Sequence, residues 1–199
     1  MKTSSRSQHF ALIAAFALAL DLHSPLLADE KPAPAAQKKK LTPEEEKLLE
    51  EAEQAHKKQV LLSIQDKYAE SEKEARKVIA IRERVLGPEH SDTLQARVDL
   101  ANQLLLLGRE PEVEKEFRAI LAIRERVLGP EHGDVAWACY RLACSLHKQG
   151  KLMEALPLIR RAEDGMRKAF GPQFLGAGTA KVEREEIEAE LKKQQADRK

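Results

Sequence analysis

An eleven-residue segment occurs twice in this chain at a spacing of 42 residues. Residues 80–90 and residues 122–132 both read AIRERVLGPEH. A third, altered copy, GMRKAFGPQF, covers residues 165–174. Identity over eleven positions at a fixed offset indicates internal duplication. A period of about 20 to 50 residues predicts an array of stacked structural units rather than a single globular core.

Each unit has the pattern of two helices joined by a short turn. The segments 92–107 and 112–128 carry apolar residues three and four positions apart, which is the spacing of one helix face. Gly108 ends the first helix, and Gly129 followed by Pro130 ends the second. Because neither helix can bury its apolar stripe alone, we predict all-α hairpins that stack on one another.

The units resemble the tetratricopeptide repeat in its 42-residue form, the form found in kinesin light chains. In that family the first helix carries a Leu-Ala pair, a large residue three positions later and a glycine four positions further on. The matching residues are Leu100, Ala101, Leu104 and Gly108, then Leu142, Ala143, Leu146 and Gly150. The second helices match at Val113, Phe117, Ala155 and Ile159. The resemblance implies an all-α, right-handed solenoid of antiparallel helix hairpins, with about three units and a capping helix.

The resemblance also implies a protein–protein interaction module whose first helices line a concave, peptide-binding groove. The family register gives ten groove residues here: Gln95, Val98, Asp99, Asn102, Trp137, Tyr140, Arg141, Cys144, His147 and Lys148. Kinesin light chains present paired asparagines to their peptide cargo. The equivalent pairs in this chain are Val98-Asp99 and Tyr140-Arg141, so that cargo specificity is not expected to carry over.

The second half of this groove set suggests the chemistry of a ligand. It contains the only tryptophan of the chain, one of its two tyrosines and three basic side chains. Aromatic residues and arginine dominate many interfaces, and a cationic groove favours carboxylates. These residues predict an extended or helical acidic peptide as the ligand. An alternative is that Trp137 and Tyr140 only pack between units.

Residues 1–28 have the pattern of a secretory signal peptide. Lys2 and Arg6 precede an eleven-residue apolar run, residues 10–20, and small residues lie near the expected cleavage site after Ala28. We therefore predict an exported protein, either periplasmic or secreted. The apolar run is about half as long as a membrane-spanning helix, so the mature chain is predicted to have no transmembrane span.

Composition and the repeat register predict the other segment boundaries. A Pro/Ala/Lys-rich linker covers residues 29–43, and Thr42, Pro43 and Glu45 have the pattern of a capping box that opens a helix. The predicted segments after the linker are N-terminal helices with a degenerate first repeat (44–89), two repeats (90–131 and 132–174) and a C-terminal capping helix with a charged tail (175–199).

Two other partner and site classes are disfavoured by composition. Lys+Arg number 34 and Asp+Glu number 33, a formal net charge of +1, which provides no bulk positive charge for nucleic acid. Cys139 and Cys144, five positions apart on one helix, cannot pair with each other or form a four-thiolate zinc site. We predict no nucleic-acid partner, and Cys139 as a small buried residue.

No residue constellation typical of an enzyme is found. His90 and His132 recur with the repeat, so they are expected to cap the helices that follow them. The acidic segments 44–53 and 183–190 are expected to lie on solvated faces with Lys or Arg partners. There is no phosphate-binding glycine loop and no HExxH motif. The sequence predicts no enzyme, no cofactor and no metal site.

Three function classes are left. The first is a non-enzymatic, exported interaction module that binds a peptide or protein segment. The second is a self-assembling scaffold, a homo-oligomer formed through the flanking helices, because Leu41, Leu48, Ala55 and Leu62 fall seven positions apart. The third is an enzyme or an accessory subunit of one, which no residue pattern supports. We predict the first.

Overall fold

The computed structural model describes residues 40–197, and all regular structure in that range is helical. The seven helices are α1 (Pro43–Ile64), α2 (Tyr68–Val85), α3 (Ser91–Leu106), α4 (Glu110–Leu128), α5 (Gly133–Lys148), α6 (Leu152–Phe170) and α7 (Leu175–Ala196). The predicted signal peptide and most of the predicted linker lie outside the described residues. The capping box at the start of α1 is present, with Thr42 and Glu45 bonded reciprocally.

The helices pack in the order in which they follow one another in the chain. α1 and α2, α3 and α4, and α5 and α6 form three hairpins, and each second helix also packs on the first helix of the next hairpin. α7 packs on α6 and touches α5, so it takes the place of a fourth first helix. This arrangement confirms the predicted all-α solenoid of helix hairpins with a terminal capping helix.

The turn inside each hairpin uses one residue in the left-handed region. Gly108 has φ 70° and Gly150 has φ 73°. Asp66, which lies 42 residues before Gly108, has φ 59°. Aspartate tolerates this conformation better than most residues do. The first hairpin therefore keeps the turn of the others although its sequence has lost the glycine.

The junction between hairpins is also repeated. Gly129, which caps α4, has φ 87° and ψ 158°. The next helix begins where the backbone N–H of Asp134 donates a hydrogen bond of 3.1 Å to Nδ1 of His132. One repeat earlier, the N–H of Asp92 donates to Nδ1 of His90 over 3.2 Å. These bonds confirm the prediction that the repeated histidines cap helices.

The core follows the apolar pattern of the repeat. The residues that carry the family resemblance in α3 to α6 are buried, and the most completely buried large side chains include Phe117, Leu100, Leu104, Ile120, Leu142, Leu146, Ile159 and Met166. Both faces of the hairpin interface contribute, so burial extends continuously from one hairpin to the next. The core therefore fixes how the first helices lie beside one another.

Ion pairs between hairpins recur with the same period. Arg109 Nη1 lies 2.6 Å from Glu72 Oε2, and 42 residues later Lys151 Nζ lies 2.7 Å from Glu114 Oε2. In both cases an acidic side chain near the start of a second helix holds the internal turn of the following hairpin. The two junctions are chemically equivalent, apart from the exchange of Arg for Lys.

Candidate functional site

The ten predicted groove residues lie on two neighbouring first helices, α3 and α5. Gln95 and Lys148 are exposed, Tyr140 and His147 are buried, and the other six are half-buried. The structure therefore places the set along one row of helices but does not offer all of it to a ligand.

Polar side chains link the four first helices in series. The contacts are His56 with Asp99, Asn102 with Arg141, and His147 with Glu183. His56 Nδ1 lies 3.7 Å from Asp99 Oδ2, and the Asn102 side-chain oxygen accepts a hydrogen bond from the Arg141 guanidinium. This row of contacts follows the face of the first helices from α1 to α7.

The aromatic residues of α5 pack against the end of the solenoid. The Trp137 ring lies edge-on to the rings of Tyr140, at 5.8 Å, and of Phe174, at 6.2 Å between centroids. Tyr140 is only 7% exposed, and burial raises the pKa of its hydroxyl. For Tyr140 the geometry agrees with the packing alternative, because a side chain this buried offers a ligand very little surface.

The three basic side chains of the predicted groove already have partners within the chain. Lys148 Nζ lies 3.2 Å from Glu110 Oε1, and the Arg141 guanidinium lies 5.3 Å from the centre of the Phe117 ring. His147 contacts Glu183. An acidic ligand would therefore have to exchange with internal carboxylates at Lys148 and His147.

Both cysteines are free thiols. Cys139 is buried as predicted, and burial raises the pKa of its thiol to about 11. Burial also raises the pKa of the Cys144 thiol, which lies beside Tyr140 and within the field of the Glu183 carboxylate. Because the thiolate is the reactive form, neither cysteine is prepared for disulfide formation with another molecule.

An apolar part of the same face lies outside the ten predicted residues. Val60, Leu61 and Ile64 are exposed in the last turns of α1, and Ile64 is 74% exposed. Val60 lies 42 residues before Asn102, so it occupies the same register position in its hairpin. The repeat offset could have found these residues. The ten predicted residues come only from the two clear repeats, whereas Val60 and Ile64 belong to the degenerate first repeat.

The expectation that the carboxylates of residues 183–190 all lie on a solvated face is wrong for Glu183. Its side chain is 6% exposed and lies 2.7 Å from Nδ1 of His147, and this contact raises the pKa of His147. α7 packs on α5 and α6, which turns Glu183 inward. No local signal reveals this contact, because His147 and Glu183 are 36 residues apart.

None of the helices within residues 40–197 is long and apolar enough to cross a membrane.

Two family models, each described as tetratricopeptide repeat, match residues 92–168 and 60–92. No curated protein matches the chain in sequence.

Several solved structures share the fold. Nearly identical TPR-like repeats from a candidate kinesin light chain of Podosopora anserina superpose with TM-score 0.61 at 19% identity, covering 69% of this chain and 65% of that chain. A single-substitution variant of those repeats gives TM-score 0.63 at 18% identity, with coverage of 74% and 68%. BtubC (BKLC) from P. vanneervenii gives TM-score 0.57 at 14% identity, with coverage of 74% and 63%. The chain thus spans less than two thirds of the length of the first of these structures.

Proposed function

The chain belongs to the tetratricopeptide repeat proteins, and such repeats are protein–protein interaction modules, so we propose that it binds a peptide or protein segment along its first helices. The binding face comprises Val60 and Ile64 on α1 together with the exposed and half-buried groove residues of α3 and α5. The observation that carries the proposal is the pair of exposed apolar side chains Val60 and Ile64 on α1, which are in register with the groove residues Asn102 on α3 and Lys148 on α5.

The two parts of this face suggest two kinds of contact. Val60 and Ile64 expose apolar surface, which gains free energy when it is covered by a partner. Gln95 and Lys148 are exposed polar side chains on the neighbouring first helices. We propose a segment whose apolar side chains cover α1 and whose polar side chains contact α3 and α5.

The acidic character of the ligand belongs to the same proposal. A carboxylate of the ligand would take the place of Glu110 at Lys148, whose ion pair is partly exposed and therefore partly screened by solvent. Such an exchange makes binding depend on ionic strength, because exposed charge pairs are screened by salt. A dissociation constant unaffected by salt between 50 and 500 mM would remove the acidic ligand from the proposal.

We also propose that the protein is exported and has no catalytic activity. The pattern of residues 1–28 supports export, and cell fractionation with and without that segment tests it. Its family of interaction modules supports a non-catalytic role. Retention inside the cell by the full-length form would contradict export.

The test compares two equally exposed apolar residues on different helices. Ile64 on α1 and Met153 on α6 are both 74% exposed, so a lysine at either position leaves the core intact. The chain and its Ile64→Lys and Met153→Lys variants are used to capture partners from native extract, and circular dichroism checks their fold. We expect the partner to be retained by Met153→Lys and lost by Ile64→Lys.

The reverse result would place the binding surface on the second helices and contradict the proposal. Capture of the chain by itself alone, together with a mass that rises with concentration, would favour the self-assembling scaffold instead. The exposed Leu175 and Val182 on the terminal helix α7 are where a second copy would then be expected to dock.

A further inference from the structure

Three side chains from α5 and α7 bring ligand atoms together at the C-terminal end of the solenoid. One ligand atom each from His147, Glu183 and Glu186 lies within 4.8 Å of the other two. The side chains of His147 and Glu183 are 7% and 6% exposed, whereas Glu186 is exposed to solvent. The group is therefore open on one side and enclosed on the other.

The spacing along α7 explains why several carboxylates meet one imidazole. Glu183, Glu186 and Glu190 are separated by three and four positions, so they lie on one face of the helix. That face is turned toward α5. On it, Glu190 Oε2 lies 3.6 Å from Nε2 of His147, which belongs to α5. Both ring nitrogens of His147 thus face carboxylates of α7.

The charge of this group exceeds what pairing of a buried histidine requires. One carboxylate is enough to balance a protonated imidazole, and here Glu183, Glu186 and Glu190 all approach it. The neighbouring cations on α5 are engaged elsewhere, Arg141 with Asn102 and Lys148 with Glu110. Like charges held together in a partly dry site repel each other, and a dication would relieve this repulsion.

Imidazole nitrogen with carboxylate oxygen is a ligand set that suits divalent transition metals such as zinc. Bonds to zinc are about 2.0 to 2.2 Å long, so two ligand atoms on one tetrahedral ion lie about 3.4 Å apart. The observed limit of 4.8 Å means that the side chains must close by up to about 1.4 Å, a shift that rotation of the exposed Glu186 side chain can supply. We propose that His147, Glu183 and Glu186 bind one divalent transition-metal ion, which joins the capping helix α7 to α5.

This site goes beyond the proposed binding of a protein segment and does not depend on it. A metal ion bound between α5 and α7 crosslinks two helices that share few other contacts. It therefore stabilises the end of the solenoid at which the repeat pattern stops. The site includes the last of the polar contacts that run along the first helices, the contact between His147 and Glu183.

Titration of the metal-free chain with zinc chloride, followed by calorimetry, tests the proposal. The chain offers a matched pair of variants, because Glu185 and Glu186 are adjacent, exposed and equally charged, but only Glu186 belongs to the group. We expect one zinc ion per chain, at least tenfold weaker binding in Glu186→Gln, and affinity within twofold of the parent in Glu185→Gln. The melting temperature of the parent should rise with zinc concentration.

A third variant, His147→Gln, separates this site from the other histidines of the chain and should abolish the tight binding. Equal weakening in Glu185→Gln and Glu186→Gln would indicate attraction by the general acidic surface and would overturn the proposal. So would tight binding retained by His147→Gln, or no binding by the parent at millimolar zinc. Since Glu186 is exposed, the comparison of adjacent glutamates stands even if the histidine variant fails to fold.

Discussion

At the scale of single residues, glycine has two different roles in this fold. Gly129 ends α4 with φ 87° and ψ 158°, a backbone conformation that is essentially restricted to glycine. Gly178 lies on the exposed side of α7 with ordinary helical geometry. A Cβ added at either position would meet no atom within 4 Å. Since neither site is crowded, the two positions differ only in whether the backbone conformation suits a residue other than glycine.

We predict opposite effects of the same substitution at these two sites. Gly129→Ala should lower the free energy of unfolding by about 1 to 3 kcal/mol, because alanine is strained in that conformation. Gly178→Ala should raise it by about 0.5 kcal/mol, because alanine loses less backbone entropy in a helix. Urea denaturation of the two variants measures both changes. A similar loss of unfolding free energy in both variants would show that the backbone conformation of Gly129 is not what makes its substitution destabilising.

At the scale of helices, Glu114 connects two hairpins through several charged partners. It lies 2.7 Å from Lys151 Nζ, and it also accepts hydrogen bonds from Arg118 and Gln149. The bond from Lys151 is the main cause that lowers the pKa of Glu114 to about 2, and the other two bonds add to it. The ionised carboxylate thus stabilises the folded state.

This pKa predicts how stability depends on acid. The folded-state pKa lies below the ordinary value of 4.5, so the contribution of Glu114 is present above pH 4.5 and is lost as pH falls toward 2. Glu114→Gln should cost about 1 to 2 kcal/mol at pH 7, an amount reduced by partial solvent exposure. The difference from the parent chain should shrink between pH 5 and pH 2 in denaturant titrations.

Glu154→Gln is the control for this prediction. Glu154 pairs with the same Arg118, at 2.7 Å, but its side chain is largely exposed. An exposed pair of this kind contributes about 0.2 to 1 kcal/mol. If both variants lost the same stability with the same pH dependence, the hydrogen bonds of Glu114 to Lys151 and Gln149 would not be a source of acid-sensitive stability.

The helices and their ends were predictable because their causes are local. The apolar spacing of each helix, the glycines at 108 and 129, and the capping histidines at 90 and 132 all act within a few residues of the feature that they determine. Asp66 was not predictable in the same way. Aspartate is also common in helices and other turns, so its residue type does not by itself indicate a left-handed conformation, and only the 42-residue offset from Gly108 points to it.

The candidate site was less predictable than the fold because its decisive contacts cross between hairpins. The family register placed Tyr140 and His147 on the face of the first helices. Their burial depends on α7, whose position the repeat pattern does not specify, because the pattern has decayed there. The carboxylate of Glu183 looked like part of a solvated helix for the same reason.

At the scale of the whole molecule, every hairpin contacts only its neighbours. Within residues 40–197, α1 packs chiefly on α2, and α7 packs on α6 with a small contact to α5. The helices from α3 to α6 have neighbours on both sides. In arrays of this kind, stability is the sum of unit and interface contributions, and the terminal units have fewer interfaces.

Hydrogen exchange should therefore be graded along the chain. We predict that amides of residues 90–174 exchange most slowly and that α1 and α7 open by themselves before the rest unfolds. Mass spectrometry of exchanged peptides provides the measurement. Uniform protection from residue 44 to residue 193 would contradict it and would indicate a single cooperative unit.

The equivalence of the two ion-paired junctions bears on how a chain like this can change its length. A tandem copy of residues 90–131 inserted after residue 131 would place its own Arg109 against the existing Glu114. The Glu114 of the inserted copy would then meet Lys151. The inserted repeat needs no new kind of interface, because it forms the same ion pair with the hairpin before it and with the hairpin after it. The length of this protein can therefore change in whole steps of 42 residues, and each step adds one more first helix to the surface available for a partner.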